Sequence, residues 1–414
     1  MMNFRKPVLF SIALFLQIIS LAQEDSIYRK WNHKKNIFTL GMYKQPGNDS
    51  MVDVWDGFER ILGIKKKREE TILSKPQISF IPSVEYSIIT GLAASINSNI
   101  VFPKKVNNAS FIYFDLKRTV KKQTIVELVS NMWFANDRFN LSTDWSIMRF
   151  PQKDFGLGPQ STLQLFDQLN YSYLKLHQTV SRKIARDWYA GIGLRMDYFW
   201  RVSDTTLSNK PVVGFREYGF SQSSLSNGLS LNLLHDTRRN AVYPLAGERY
   251  FQIILRNSST IFGSSSQWSS LMLDTRKYIS FPRSSNNILA FWSYNVLTLG
   301  GKPPYLVLPH TAVDPFKNTG RGYIQGRYRG RSMLMQEMEY RFAITENGFL
   351  GGVVYGNVQS VANAGSNRFS SMIPGYGVGI RIKYNKKSNT NIALDYAWGK
   401  DGSRGFFMNL GEVF

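Results

Sequence analysis

In the stretch DWYAGIGLRMDYFW, residues 187–200, apolar and polar side chains alternate. Trp188, Ala190, Ile192, Leu194, Met196 and Tyr198 fall on one face of an extended chain, and Gly191, Gly193, Arg195 and Asp197 on the other. The same period of two recurs downstream. Tyr376, Val378, Ile380, Ile382 and Tyr384 oppose Gly377, Gly379, Arg381 and Lys383. Ile392, Leu394, Tyr396 and Trp398 oppose Asn391, Ala393, Asp395 and Ala397, while Leu334, Met338, Tyr340 and Phe342 oppose Glu337, Glu339 and Arg341. Such segments are strands with a different environment on each face. A water-soluble sandwich also alternates, but it seldom gathers Arg, Lys, Asp and Gly on one narrow face. If the apolar face meets lipid, about ten residues per strand suffice to cross a bilayer at a tilt. The charged face must then line a lumen, because a lone Lys or Arg against lipid costs roughly 2–4 kcal/mol. Tyr and Trp sit at the ends of the apolar faces, where an interfacial girdle places them.

Strand-like segments start near Gln77, Gly91, Ala109, Thr124, Phe139, Asn170, Asp187, Ser224, Arg249, Gln267, Asn287, Ser332, Gly348, Gly375, Asn391 and Arg404. An even count closes a barrel with both ends on one side. Closure is required because each unpaired backbone group in lipid costs several kcal/mol. The expected fold is therefore all-β: a sixteen-stranded antiparallel transmembrane β-barrel over residues 75–414. Its long connections, 149–169, 201–223, 299–331 and 359–374, face the outside of the cell. Composition agrees. Aromatics reach 14% while charged residues are held to 19%, as expected where only one face of each strand meets lipid. No stretch of eighteen consecutive apolar residues follows the N-terminus.

The chain opens MMNFRKPVLFSIALFLQIISLAQEDS. A basic start, an apolar run from Val8 to Leu21 and the small-x-small site Ser20-Leu21-Ala22 read as a signal peptide over residues 1–22; the competing reading is an N-terminal anchor. Export argues against nucleic acid as a partner. An exported chain without cysteine carries no disulfide. Formal net charge is +22. The excess suggests contact with anions, such as lipopolysaccharide phosphates, anionic headgroups or an acidic partner, or else only a basic lumen and loops. Residues 23–74 do not alternate. Val54, Trp55, Phe58, Ile61 and Leu62 recur at helical spacing, and the basic run Lys65 to Arg68 follows. This predicts a short amphipathic helix, in the periplasm or plugging the lumen; a loosely ordered tail is the alternative.

HDTRRNAVYPLAGERYFQIIL, residues 235–255, resembles the turn pattern of the bacterial surface antigen barrel, through Asp236, Arg238, Asn240, Pro244 and Gly247. That barrel belongs to the superfamily of outer-membrane protein assembly factors and two-partner secretion translocases. GRGYIQGRYRG resembles the family's Arg-Gly-Tyr/Phe loop, followed by its E-Y-R strand at Glu339-Tyr340-Arg341. KPQISFIPSVEYSIITG is similar to its entry strand, and YGVGIRIKY, IALDYAWG and GFFMNLGEVF to its last three. The resemblance spans Lys75 to Phe414. It implies that the loop between the eleventh and twelfth strands folds into the barrel and docks its Arg321-Gly322-Tyr323 tip on the inner wall. It also accounts for a loop segment, Asn318 to Ser332, with four arginines and four glycines. Arg327, Arg329 and Arg331 would reach further lumen acids or a glycolipid surface. Two departures stand out. Residues 23–74 are too few for the polypeptide-transport-associated (POTRA) domains that precede such barrels. The family's acid on the strand after E-Y-R is replaced by Val354, so Arg321 needs another partner: Glu337, Glu339 or Asp395.

No catalytic or metal-binding constellation emerges. His33, His177, His235 and His310 lack ligand spacing. His235 beside Asp236 reads more simply as part of a turn than as a catalytic pair. No enzyme activity, metal or cofactor is expected. The resemblance implies a barrel that assists insertion or translocation of proteins, or lipids, through a seam between its first and last strands. Gly405, Phe407, Gly411 and Phe414 lie in the final strand, Arg404 to Phe414, where Gly405 and Gly411 either weaken the seam or only relieve crowding in the lumen. The alternatives are a structural or accessory barrel, as a homodimer or a subunit of a larger complex, and a passive pore. Expected partners are outer-membrane lipids and lipopolysaccharide, client outer-membrane proteins or assembly-complex subunits.

Overall fold

The computed structural model describes residues 51–63, 76–87, 91–102, 108–204, 214–219, 221–363 and 365–414. The expected signal peptide and the basic run Lys65 to Arg68 lie outside them. Sixteen strands form one sheet in sequence order. They are β1 (Gln77–Ser87), β2 (Gly91–Val101), β3 (Phe111–Thr119), β4 (Thr124–Phe134), β5 (Phe139–Asp154), β6 (Asp167–Ala185), β7 (Trp188–Asp204), β8 (Ser224–Asp236), β9 (Arg249–Ser258), β10 (Trp268–Ser280), β11 (Ile288–Gly301), β12 (Ser332–Ala343), β13 (Leu350–Val361), β14 (Ile373–Asn385), β15 (Thr390–Gly399) and β16 (Arg404–Leu410). Every consecutive pair is antiparallel. Among the described residues two α-helices are added: α1 (Val54–Leu62) and the single turn α2 (Phe215–Gly219).

Burial is reversed relative to a soluble protein. Ile192 is 68% exposed and Tyr376 61%, whereas Glu339 and Asp395 are almost wholly covered. The apolar faces point outward and the charged faces inward, as the alternation requires if the outer surface belongs in lipid. Aromatic pairs mark both edges of the apolar belt. Tyr198–Trp200 and Tyr376–Trp398 stack near the rim with long loops. Near the rim with short turns Tyr340 stacks on Phe342 and meets Phe281 edge-on.

Three boundaries differ from the sequence expectation. β5 and β6 pair out to Asp154↔Asp167, so the connection shrinks from 149–169 to 155–166. β5, β6 and β7 run to 16, 19 and 17 residues, well past a bilayer-spanning length. β16 ends at Leu410 rather than Phe414. At Gly411 the backbone turns through a positive φ of 104°, and Gly411–Phe414 leave the sheet for the lumen.

α1 forms where its spacing places it. Asp53 and Asp56 make a reciprocal capping box, and Gly63 closes the helix in the left-handed region. It does not plug the lumen. Val52 N–H reaches the Asn347 carbonyl in the β12–β13 turn, and Trp55 packs edge-on against Tyr384, on the outward face of β14.

Candidate functional site

The β11–β12 loop, residues 302–331, folds into the barrel. Its two arms pair: His310 and Arg329 form an antiparallel bridge, Thr311 N–H reaches the Tyr328 carbonyl at 3.0 Å, and Gly330 N–H that of Pro309 at 3.1 Å. The tip turns where Asp314 accepts the Thr319 N–H at 2.6 Å. The loop is thus a ribbon with its own backbone pairing. That pairing satisfies backbone groups that the wall would otherwise leave without partners.

Arg321 occupies the centre. Its guanidinium donates to Glu337, to Glu339 at 2.5 Å and to Asp395 at 2.6 Å, and lies 3.5 Å over the Tyr355 ring. All three acids offered by the sequence are therefore its partners. Burial opposes its charge, but Glu337, Glu339 and Asp395 outweigh burial and hold the guanidinium well above its ordinary range. Val354 could not have served, since it faces outward; Tyr355 is the lumen position beside it. Tyr323 donates its hydroxyl to the Pro374 carbonyl and accepts the Lys400 N–H at 2.6 Å. Gly322 has φ 107°, and a Cβ there would sit 2.7 Å from the Trp398 carbonyl oxygen. Gly322→Ala is expected to cost about 1–3 kcal/mol in backbone strain alone. Faster tryptic cleavage within 321–331 would register the loosened loop; unchanged cleavage would refute the close docking.

Of the other loop arginines, Arg329 reaches a further lumen acid, Asp154, and Arg327 lies 3.9 Å from Asp401; each is held mainly by backbone and hydroxyl oxygens. Arg327 donates to the Ser161 hydroxyl and carbonyl at 2.6 and 2.7 Å. Arg329 bridges the Tyr305, Leu306 and Leu308 carbonyls, with Asp154 3.7 Å away. Only Arg331 lies at the rim, where it donates to Gly301. Burial and the Arg329 charge push the His310 imidazole down to about 3, so it stays neutral inside the loop.

The charge network continues beyond the loop. Arg381 joins Asp395 at 2.6 Å to Glu412 at 2.9 Å. Arg341 joins Glu339 at 2.6 Å to the Phe414 carbonyl at 2.9 Å. Glu412 is buried, which raises its carboxyl, but Arg381 and Arg341 outweigh burial and hold it below the usual carboxylate range. Asn318 at the loop tip donates to the Val413 carbonyl, and the Phe414 ring stacks on Trp292. Loop and segment 411–414 are thereby tied together. Sequence reasoning placed Arg341 and Arg381 on lumen faces but missed their partners. Only Gly411 hinted that the chain turns inward.

The turn motif sits at the opposite rim, between β8 and β9. Arg238 makes two 2.9 Å hydrogen bonds to Asp236 and stacks over Tyr250. Asn240 accepts the Val242 N–H and donates to the Ser388 carbonyl at 2.9 Å. Pro244 follows the turn, and Gly247, at φ 90°, reaches the Tyr278 carbonyl. The Val242 carbonyl accepts the Glu412 N–H, and the Arg239 carbonyl the Ala109 N–H. The motif therefore crosses the short-turn mouth to meet the β14–β15 turn and segment 411–414. His235 stacks on Trp188 outside while Asp236 serves Arg238 inside, so the adjacent pair does not act together. A cavity of about 760 Å³ remains in the lumen, lined by His177, Asp197 and Arg256 among others.

Among the described residues no ladder joins β1 to β16; each pairs with one neighbour only. The β1 carbonyl of Phe80 is taken instead by the Tyr384 hydroxyl of β14, at 2.6 Å. Gly405 and Phe407 lie on the lumen face of the seven-residue β16, opposite Ala397 and Asp395.

No protein-family model matches the chain. No curated protein matches it in sequence. Solved structures do resemble it. BamA from Haemophilus ducreyi lacking POTRA domains 1–3 aligns with TM-score 0.50 at 13% identity, over 81% of this chain and 68% of that one. CdiB from Acinetobacter baumannii aligns with TM-score 0.51 at 11% identity, over 81% of this chain and 60% of that one. CdiB from Escherichia coli gives 0.50 at 9%, over 86% and 70%. The chain spans less than two thirds of the Acinetobacter protein. At these identities the likeness concerns the fold: a sixteen-stranded all-β barrel similar to those of BamA and CdiB.

Proposed function

We propose that this chain is an outer-membrane barrel, non-catalytic, that assists insertion or translocation of proteins, or lipids, through the seam between β1 and β16. The short-turn rim then faces the periplasm. The likeness to BamA and CdiB barrels supports this general kind of role. The observation that carries the mechanism is that, among the described residues, no ladder joins β1 to β16. Two unpaired edges in lipid are costly, and an extended client strand would satisfy them by β-augmentation. β16 is short and offers few groups to β1, so the seam opens with little loss. Lipids of both leaflets, including lipopolysaccharide, and client outer-membrane proteins are the partners this reading requires.

A passive pore is disfavoured because the β11–β12 loop occupies the lumen. An accessory barrel, as a homodimer or a subunit of an assembly complex, is the rival. Photo-crosslinkable residues at Ile78, Phe80, Phe406 and Met408, used in living cells, separate the two. Many different outer-membrane proteins captured at both edges are expected. Capture of one constant partner, or of the chain itself, would remove the gate reading.

A further inference from the structure

Helix α1 is inside out. A helix resting on a protein ordinarily buries its apolar stripe and turns its polar side to water. Here the acids face the barrel. Asp53 accepts the Lys386 backbone N–H at 3.0 Å, and Asp56 holds the Lys386 ammonium at 2.6 and 2.7 Å. The apolar stripe faces away: Ile61 is 82% exposed, Leu62 65%, and Trp55 and Phe58 52% each. Large apolar side chains gathered on one face of so short a helix need an apolar environment, and among the described residues the only aromatic ring outside the helix that meets the stripe is that of Tyr384, beside Trp55.

Position identifies that environment. Trp55 lies 6.0 Å from Tyr384, ring centre to ring centre. Tyr384 ends the outward apolar face of β14 at the short-turn rim, and its hydroxyl holds the Phe80 carbonyl of β1. The stripe therefore continues the surface that already meets lipid, at the level where acyl chains give way to headgroups. Trp is favoured at that level. In sequence the helix is followed by Lys65 to Arg68, ahead of Glu69 and Glu70. Such a cationic run beside an amphipathic helix suits anionic headgroups. We infer that α1 lies in the plane of the bilayer interface beside the seam, its stripe in the acyl chains of an anionic phospholipid leaflet and its acids clamped to Lys386. This holds whatever task the barrel performs.

The chain has no cysteine, so single labels are clean. Ile61→Cys on the stripe and Gly57→Cys, off the stripe and in open space, would each carry a nitroxide. The full chain would be reconstituted in vesicles of phosphatidylethanolamine and phosphatidylglycerol. Collision with oxygen is compared with collision with a water-soluble nickel chelate. The label at 61 is expected to favour oxygen several-fold over the label at 57. Equal nickel access at the two positions would place the helix in water and overturn the inference. Protection of position 61 from both reagents, with dipolar coupling between labels, would mean that a second copy covers the stripe, and would overturn it too. Heat-modifiable gel migration confirms that each barrel is folded; neither label lies in a strand.

Discussion

Replacing Arg321 by alanine is expected to lower the unfolding temperature of the barrel and to free the β11–β12 loop to protease. Removing one partner from a buried ion pair costs about 3–5 kcal/mol, because the other charge stays buried and alone. Here the loss is unequal among the acids. Glu339 keeps Arg341, and Asp395 keeps Arg381. Among the described residues Glu337 has no other basic partner within salt-bridge distance. It is therefore the group that makes the substitution severe, and adding Glu337→Gln to Arg321→Ala should recover part of the loss. Arg321→Lys should not restore it, since one ammonium cannot reach three carboxylates in a plane as the guanidinium fork does. Heat-modifiable migration and limited trypsin digestion would measure both effects. An unchanged unfolding temperature for Arg321→Ala would show that the docked loop contributes nothing to the barrel.

Excising the loop should change conductance more than stability. A barrel of this strand number leaves an aqueous channel unless something fills it. The ribbon from Pro309 to Gly330 does so, tied by Asn318 to Val413 and by Arg321 to the wall. Replacing 303–330 with a short Gly-Ser linker, together with Glu337→Gln to avoid a stranded charge, is expected to raise single-channel conductance in planar bilayers at least tenfold. The wild-type chain should give small, rare openings. Large steady conductance from the wild type, or none from the excised variant, would show that the loop is not what closes the lumen.

The strands were legible because lipid and lumen impose opposite demands on successive residues, so Ile192 and Arg195 declare their faces without a neighbour. Where that demand lapses, so does the signal. Phe150 to Asp154 and Asp167 to Leu169 continue β5 and β6 beyond the apolar belt, and Pro151 within them reads as loop. Arg321 was legible from its glycine setting, and its acids from their lumen faces. Their convergence was not, because Glu337, Glu339 and Asp395 come from β12 and β15, and only the barrel's curvature brings those walls to one guanidinium. Segment 411–414 was misread as strand. Its Val413 and Phe414 look outward-facing by composition, yet Phe414 finds Trp292 and Arg341 inside.

The β14–β15 turn and its flanks have a mechanical consequence. Lys386 grips α1, Tyr384 holds β1, the Ser388 carbonyl receives the β8–β9 crossing, and the Asn391 carbonyl and side chain hold Gly411 and Glu412. Four separate parts of the molecule are thus tethered within eight residues. Tension applied to the chain ahead of Met51 is delivered through Asp53 to this corner of the rim and through Val52 to the β12–β13 turn. A tug from below would therefore strain the first strand, the mouth and the network around Arg381 together.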